Sequence, residues 1–325
     1  MASADAYTLR IIRRFHPHRN SRSIAILMLR LCFSAHQGRI ERKVIMSVKI
    51  IADSTCDLPA DLLAQYDITI LPLSINRDGQ FYKDGVEITP QDIFVHVDAG
   101  GALCSTAAVN IEEFTACFAQ YSGAYDAVIC VTISAEMSSC YQNACMAAAS
   151  FPNVYVVDSR NLSSAQGLIA LEAARLAPQG FSGREIARIL NEATGRVQSS
   201  FLLDRLDYMR KGGRCSAVAA LGANLMHLKP CIAVREGKMG VVKKYRGSFE
   251  HCMVQYTKEL LTQHPDSGND IAIVVHPAAD RAAVEATLRT LKEDGRFRAV
   301  YEARTGCTVA CHCGANTIGV MFMTD

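Results

Sequence analysis

The sequence predicts an α/β protein, with a parallel sheet and flanking helices in an N-terminal domain, followed by a smaller mixed α+β domain. Two observations carry this. In the first half, short and almost wholly apolar strands (VKIIA at Val48–Ala52, AVICVTI at Ala127–Ile133, VYVV at Val154–Val157) alternate with helical stretches. That is the pattern of parallel strands covered on both faces. After Pro178–Gly183 (PQGFSG) the pattern changes, and Cys231–Val234 and Gly240–Lys243 flank Glu236-Gly237-Lys238 as an antiparallel hairpin. A chain of 325 residues has room for two ordinary domains. The division expected is an extension at 1–45, an N-terminal domain at 46–180 and a C-terminal domain at 181–325.

Each element has a local reason. Val48–Ala52 stops at Asp53-Ser54-Thr55, and Pro59 begins a short helix through Leu62 and Leu63. Ile68–Ile75 (ITILPLSI) reads as the second strand, with Arg77-Asp78-Gly79-Gln80 as its hairpin turn. Thr89 caps the next helix, with Pro90 at its first position. Ala127–Ile133 leads through Ser134–Ser139 to an Ala-rich helix, and Val154–Val157 ends at Asp158-Ser159 before a helix at Gln166–Ala177. In the second half, Ser182–Ser199 reads as one amphipathic helix with Ile186, Ile189, Leu190 and Ala193 on one face. A short strand follows at Phe201–Leu203, then helices at Leu206–Lys211 and Leu221–Leu228, the hairpin, and a helix at Phe249–His264. Ile271–His276 is a strand, Asp280–Glu293 a helix and Val320–Phe322 the closing strand.

Composition narrows the function classes. Hydrophobic residues are 50% and charged residues 20%, so the body is globular. The net charge of +2 is misleading: nine Lys and Arg against two acidic residues lie before Met46, which leaves 25 basic and 30 acidic residues beyond it. A body at −5 offers no general basic face for a phosphate backbone, so nucleic acid is not an expected partner. Thirteen cysteines, an odd number set mostly in apolar runs, fit a reducing, cytoplasmic compartment better than a disulfide scaffold. Ser23–Phe33 is apolar but interrupted by Arg30 and far short of the ~20 residues that span a bilayer, so at most peripheral membrane contact is expected. Residues 1–45 are expected to be an upstream translation artefact with Met46 as the natural start; a targeting segment is the alternative.

The chemistry is expected where strands end. Asp53-Ser54-Thr55, Ser134 with Ser138-Ser139, and Asp158-Ser159 all follow strands that would share one carboxyl edge, where open α/β sheets bind ligands. Neutral hydroxyls in front of helix N-termini suit a carboxylate or phosphate. Simple helix capping accounts for the same residue types.

These blocks, in order, carry a resemblance: VKIIADSTCDLP, the Ser-Thr and Glu-Glu-Phe pieces of Thr106–Phe114, ISAEMSSCYQNA, VDSRNLSSAQGL, LDYMRKGGRCS, LKPCIAV and ACHCGANTIGV. From Met46 to the end the chain resembles the DegV family, whose members include the fatty-acid-binding subunits of bacterial fatty acid kinase. The resemblance implies a long-chain fatty acid held between the domains, its carboxylate on a Thr, a Ser and a His and its tail in an apolar tunnel. It also implies presentation to a separate kinase catalytic subunit for acyl-phosphate formation, with no enzyme activity, ATP site or cofactor in the chain itself. Thr106, Ser138 and His312 match those three positions, with Ser54 and Thr55 as further ligand-binding candidates. Arg214 matches an Arg thought to serve transfer to the kinase. Departures stand at Ala107, Ala108 and Val109 after Thr106, at Cys140, and at Cys313-Gly314-Ala315-Asn316 after His312. Ala217–Leu225 and Cys145–Ala149 are small-residue stretches that either line the tunnel or pack as ordinary helices.

Competing readings use some of the same residues. Cys307, Cys311, His312 and Cys313 suggest a metal, but with Cys311-His312-Cys313 on a strand neighbours would face opposite ways, so no metal site is expected. His276 closes an apolar strand and reads as structural. Lys211-Gly212-Gly213-Arg214 lacks P-loop spacing and is either a phosphate-facing loop or a solvated helix end. Ser138 and His312 could also serve as nucleophile and base of a small-molecule esterase, although no Gly-x-Ser-x-Gly elbow is present. A regulatory module without lipid is the third class.

Overall fold

The computed structural model describes residues 46–219, 228–267 and 270–324. The 1–45 extension, most of the expected Leu221–Leu228 helix, and residues 220–225 of the Ala217–Leu225 stretch lie outside them. The first half comprises β1 (Val48–Asp53), α1 (Ala60–Gln65), β2 (Ile68–Leu71), β3 (Ser74–Arg77), β4 (Gln80–Lys83), α2 (Pro90–Asp98), β5 (Ser105–Ala107), α3 (Ile111–Ser122), β6 (Ala127–Thr132), α4 (Cys140–Ala148), β7 (Val154–Asp158), α5 (Ser164–Leu176) and α6 (Gly183–Ala193). The second comprises β8 (Val197–Leu203), α7 (Asp207–Gly212), α8 (Ser216–Ala219), β9 (Leu228–Arg235), β10 (Lys238–Arg246), α9 (Phe249–Gln263), β11 (Ile271–His276), α10 (Arg281–Asp294), β12 (Ala299–Arg304), α11 (Cys307–Cys313) and β13 (Thr317–Met323).

Strands β2-β1-β6-β7 form a four-stranded parallel sheet. Every residue of β6 is buried, as a strand covered on both faces requires. The second sheet is six-stranded, in the order β10-β9-β8-β13-β11-β12, antiparallel except between β11 and β12. The expected fold class is therefore observed: a parallel sheet with helices, then a mixed-sheet domain. The hairpin turn at Glu236-Gly237 has positive φ at both central residues, the backbone that matches strand twist. Thr89 and Asp92 form a reciprocal capping box on α2, with Pro90 at the first turn.

Several boundaries differ from expectation. Ile68–Ile75 is two strands, not one: Pro72 has no N–H for the ladder, and β3 leaves to form a small antiparallel sheet in the order β4-β3-β5. The helix drawn through Ser199 ends at Ala193, and a turn at Thr194–Arg196 containing Gly195 leads into β8, which pairs with β13 and β9. β5 and β12 were not expected from pattern at all. The Cys311-His312-Cys313 run is helical, not a strand, and lies in α11. Helix α6 packs on β6 and β7 of the parallel sheet, with Ile186 and Leu190 fully buried there. Helix α6, which follows the expected boundary at residue 180, thus packs with the parallel sheet.

Helix α5 joins the halves. It is buried nearly all round and touches β1 and β6 of one sheet and β8 and β13 of the other. One core accordingly runs from Ile50, Ile129 and Val131 through Leu168, Ile169 and Leu171 to Ile273, Val275 and Met321. A separate core, with Tyr256, Val274 and Phe322, lies under α9 and α10.

Candidate functional site

Between the carboxyl edge of the parallel sheet, the mixed sheet and α11 lies a cavity of ≈260 Å³. Its walls are mostly apolar: Leu73, Ile133, Leu162, Phe201, Val275 and Val309, with four methionines, Met137, Met209, Met239 and Met321. The volume falls just below the ~300–1,000 Å³ of ordinary ligand pockets. Unbranched thioether side chains adapt readily, so these walls can give way to a longer occupant.

Helical spacing in α11 sorts its residues. Thr308 and His312, four apart, line the cavity, as do Val309 and Cys313. Cys307 and Cys311 belong instead to the cluster with Ile75, Phe94 and Tyr208. The start of α11 is held from across the molecule. Asp57 accepts from the N–H of Gly306 (2.6 Å), and Asp84 accepts from the N–H groups of Cys307 (2.6 Å) and Thr308 (3.1 Å) and from Thr308 Oγ1 (2.7 Å). Two carboxylates satisfy the exposed amides of a helix start and complement its dipole. Burial pushes the Asp57 carboxyl well above its ordinary range, against the bonds it accepts from Ser163 and Gly306.

His312 Nε2 lies 2.9 Å from Thr106 Oγ1 on β5. Its Nδ1 is buried without a partner. Burial, helped by the positive charge of Arg214, holds the imidazole down to about 4, so it is neutral at pH 7. A bare N–H at the unpartnered Nδ1 would be costly, so the proton is assigned to Nε2. Nε2–H then donates to Thr106 Oγ1, and the Thr106 hydroxyl hydrogen is left to donate elsewhere. Gly212 permits this packing: a Cβ there would lie 2.4 Å from His312 Nδ1.

Thr106, Ser138, His312 and Arg214 all line this one cavity. Ser138 Oγ accepts from the N–H of Cys140 (3.3 Å) at the start of α4, while Arg214 is exposed and donates to the carbonyl of Gly212 (3.0 Å). Ser54 and Thr55 do not belong with them. Ser54 Oγ donates to Asp84 (2.9 Å) and accepts from the N–H of Leu73 (3.0 Å), and Thr55 Oγ1 is bonded to Asp53 (2.5 Å) and Gln166 (2.6 Å). Their hydroxyls are consumed by the fold, and neither lines the cavity. Nor does Cys145–Ala149, which runs from α4 into its C-cap with Cys145 and Met146 exposed. His276 is buried against Glu302 (3.2 Å) and Arg304 (3.2 Å), while its neighbours Val275 and Pro277 face the cavity.

Sequence reasoning missed Ser163 and Thr305. Ser163 holds positive φ, which is strained for a residue with a Cβ, and donates to Asp57 (2.5 Å) from the cavity wall. Thr305 Oγ1 is buried without a partner on the same wall. The block VDSRNLSSAQGL pointed at the neighbourhood of Ser163; nothing in the sequence singled out Thr305.

The pairing an esterase needs is not formed: Ser138 Oγ bonds to Cys140, and the hydroxyl within reach of His312 is that of Thr106. No group of three or more His, Cys, Asp or Glu side chains among the described residues could hold a metal ion. No helix among them is long and apolar enough to cross a membrane.

Comparison with known proteins agrees with this architecture. The family model described as "Uncharacterised protein, DegV family" matches residues 47–325. The chain belongs to the DegV family. A DegV domain-containing protein of Clostridium acetobutylicum is 31% identical over 278 residues, covering 85% of this chain and 98% of that relative. A DegV-family protein from Thermus thermophilus, solved in a study of its fatty acid binding, superposes with a TM-score of 0.80 at 27% identity, over 86% of this chain and 100% of that one. A stearic-acid-binding protein from Eubacterium ventriosum has a TM-score of 0.74 at 26% identity, over 85% and 98%. In this DegV-family chain the cavity therefore lies in a fold whose relatives include proteins described as binding fatty acids.

Proposed function

We propose that this chain binds a long-chain fatty acid, with the carboxylate at Thr106 and Ser138, His312 positioning Thr106, and the tail among the methionine-lined walls. The Thr106–His312 hydrogen bond inside a mostly apolar cavity carries the reading. An ionised carboxylate only accepts hydrogen bonds, and the Thr106 hydroxyl has a hydrogen to give. Each such charge-assisted bond contributes about 1.5–3 kcal/mol, and each buried methylene about 0.8 kcal/mol, so the tail supplies most of the affinity. The DegV relatives described as fatty-acid-binding support the ligand class.

The protein acts as a carrier and not as an enzyme. The exposed Arg214 stands at the cavity, where it would face a phosphoryl group brought by a partner, the catalytic subunit of a fatty acid kinase in the cytoplasm. Native mass spectrometry of the full chain purified from a bacterial host tests the binding: a co-purifying acid of fatty-acid mass is expected. Repeated preparations without one, and no uptake of added oleate, would refute it. Acyl-phosphate formation by a kinase subunit, lost in Arg214→Ala while oleate binding is kept, tests the partner role.

A further inference from the structure

The cavity wall holds an unused polar group away from the Thr106–His312 pair. Thr305 follows β12, is 6% exposed, and its Oγ1 is buried on that wall without a hydrogen-bond partner. Its backbone is fixed: the Thr305 N–H donates to the carbonyl of His276 (3.1 Å), and the next N–H, of Gly306, donates to Asp57 (2.6 Å). The cavity residues on the adjoining elements, Val275, Pro277, Val309 and Met321, have apolar side chains. Other hydroxyls of the cavity are already spent: Ser163 donates to Asp57 (2.5 Å), Thr308 to Asp84 (2.7 Å) and Thr317 to the carbonyl of Cys313 (2.9 Å). A buried hydroxyl left unpaired is costly, and here a partner must come from the cavity.

Helix α11 separates Thr305 from the Thr106–His312 pair. It begins two residues after Thr305 and carries His312 in its last turn, so at about 1.5 Å per residue the two stand roughly 10 Å apart. An acid that fills the cavity with its carboxylate at Thr106 meets Thr305 partway along its chain. We propose that Thr305 is a specificity-determining residue that pairs with a mid-chain hydroxyl, so that the preferred ligands of this cavity are hydroxylated long-chain acids. This rests on the fatty-acid reading above and narrows its ligand class. Two hydroxyls can each donate to or accept from the other. A second carboxylate does not fit: Arg214 is the only Lys or Arg among the described residues that line the cavity, and the acidic Asp57 and Asp84 stand behind Ser163 and Thr308.

Matched acids test it by calorimetric titration of the full chain: oleate, ricinoleate, which adds one mid-chain hydroxyl, and 2-hydroxyoleate, whose hydroxyl stands beside the carboxylate. Wild-type protein should bind ricinoleate at least as tightly as oleate. Thr305→Val keeps the shape of the side chain and should weaken ricinoleate roughly two- to tenfold, the worth of one neutral hydrogen bond. It should leave oleate and 2-hydroxyoleate unchanged and should not lower the melting temperature, because the hydroxyl it removes has no partner in the protein. Thr305→Ser should keep most of the ricinoleate affinity. Equal weakening of all three acids in Thr305→Val would give Thr305 a structural role only. Ricinoleate bound more weakly than oleate by the wild type, or unaffected by Thr305→Val, would mean that the hydroxyl holds no more than water. Each of these results overturns the inference while oleate binding still upholds the proposed function. If neither oleate nor ricinoleate binds, both fall.

Discussion

Asp84, the residue after β4, accepts hydrogen bonds from the N–H groups of Cys307 and Thr308 at 2.6 and 3.1 Å, so a carboxylate from the first half of the chain caps the helix that carries His312. The Thr106–His312 side of the cavity is thus built by contact between distant segments, and its geometry depends on residues that never line it.

Replacing Asp84 tests that dependence. Asp84→Ala leaves two helix amides and the Ser54 and Thr308 hydroxyls without their acceptor. A loss of at least about 2–3 kcal/mol of unfolding free energy is expected, with Asp84→Asn milder because one carbonyl oxygen remains. Urea denaturation followed by circular dichroism measures it. Unchanged midpoints would show that α11 is held by packing alone.

Thr106 and Ser54 separate site from scaffold. Thr106→Val preserves shape and removes the hydroxyl, so oleate affinity should fall by about 1.5–3 kcal/mol, roughly one to two orders of magnitude, at little cost in stability. Thr106→Ser should retain most of the affinity. Ser54→Ala should do the reverse, lowering the melting temperature while affinity stays near wild type. Isothermal titration and thermal melts of the three variants distinguish the roles.

His312 makes stability depend on pH in a defined window. Its folded value, about 4, lies below the ordinary 6.5, so the unfolded chain binds the proton more tightly. The protein therefore loses stability as pH falls from 6.5 toward 4, by up to about 3 kcal/mol from this residue. His264 and His276 are also lowered, each chiefly by burial, and add to the acid slope. His312→Gln should flatten that slope in denaturant titrations between those pH values. An unchanged slope would mean that the ring is not buried neutral.

Gly212 should resist substitution. The Cβ of Gly212→Ala meets a ring nitrogen at 2.4 Å, and the His312 ring must move. We expect a loss of about 1–3 kcal/mol from overpacking together with weaker oleate binding. The neighbouring Arg214→Ala should leave stability within about 0.5 kcal/mol.

Much of the fold could be read from the chain because it is written in short-range pattern. The buried strand β6, the Thr89–Asp92 cap and the turn at Glu236-Gly237 each declare themselves within a few residues. The candidate site was legible only as a set of residues that share one cavity. Thr106, Ser138, His312 and Arg214 come to one cavity, and the family blocks pointed to them. What escaped depends on distant partners. Nothing local reveals that Ser54 spends its hydroxyl on Asp84, thirty residues on, or that Thr55 spends its own on Gln166. The three-residue β5 has no periodicity of its own and exists because β3 pairs with it. The Cys-His-Cys run could be strand or helix by pattern, and Asp57 and Asp84, capping α11 from outside, are among the interactions that settle it.

The most direct measurement is a crystal structure of the full chain soaked or grown with oleate. Continuous density should run through the cavity past Met137, Met209 and Met321, with a carboxylate oxygen within about 3.2 Å of Thr106 Oγ1. Oleate seated elsewhere, or in the cavity with its carboxylate turned away from Thr106 and Ser138, would contradict the account.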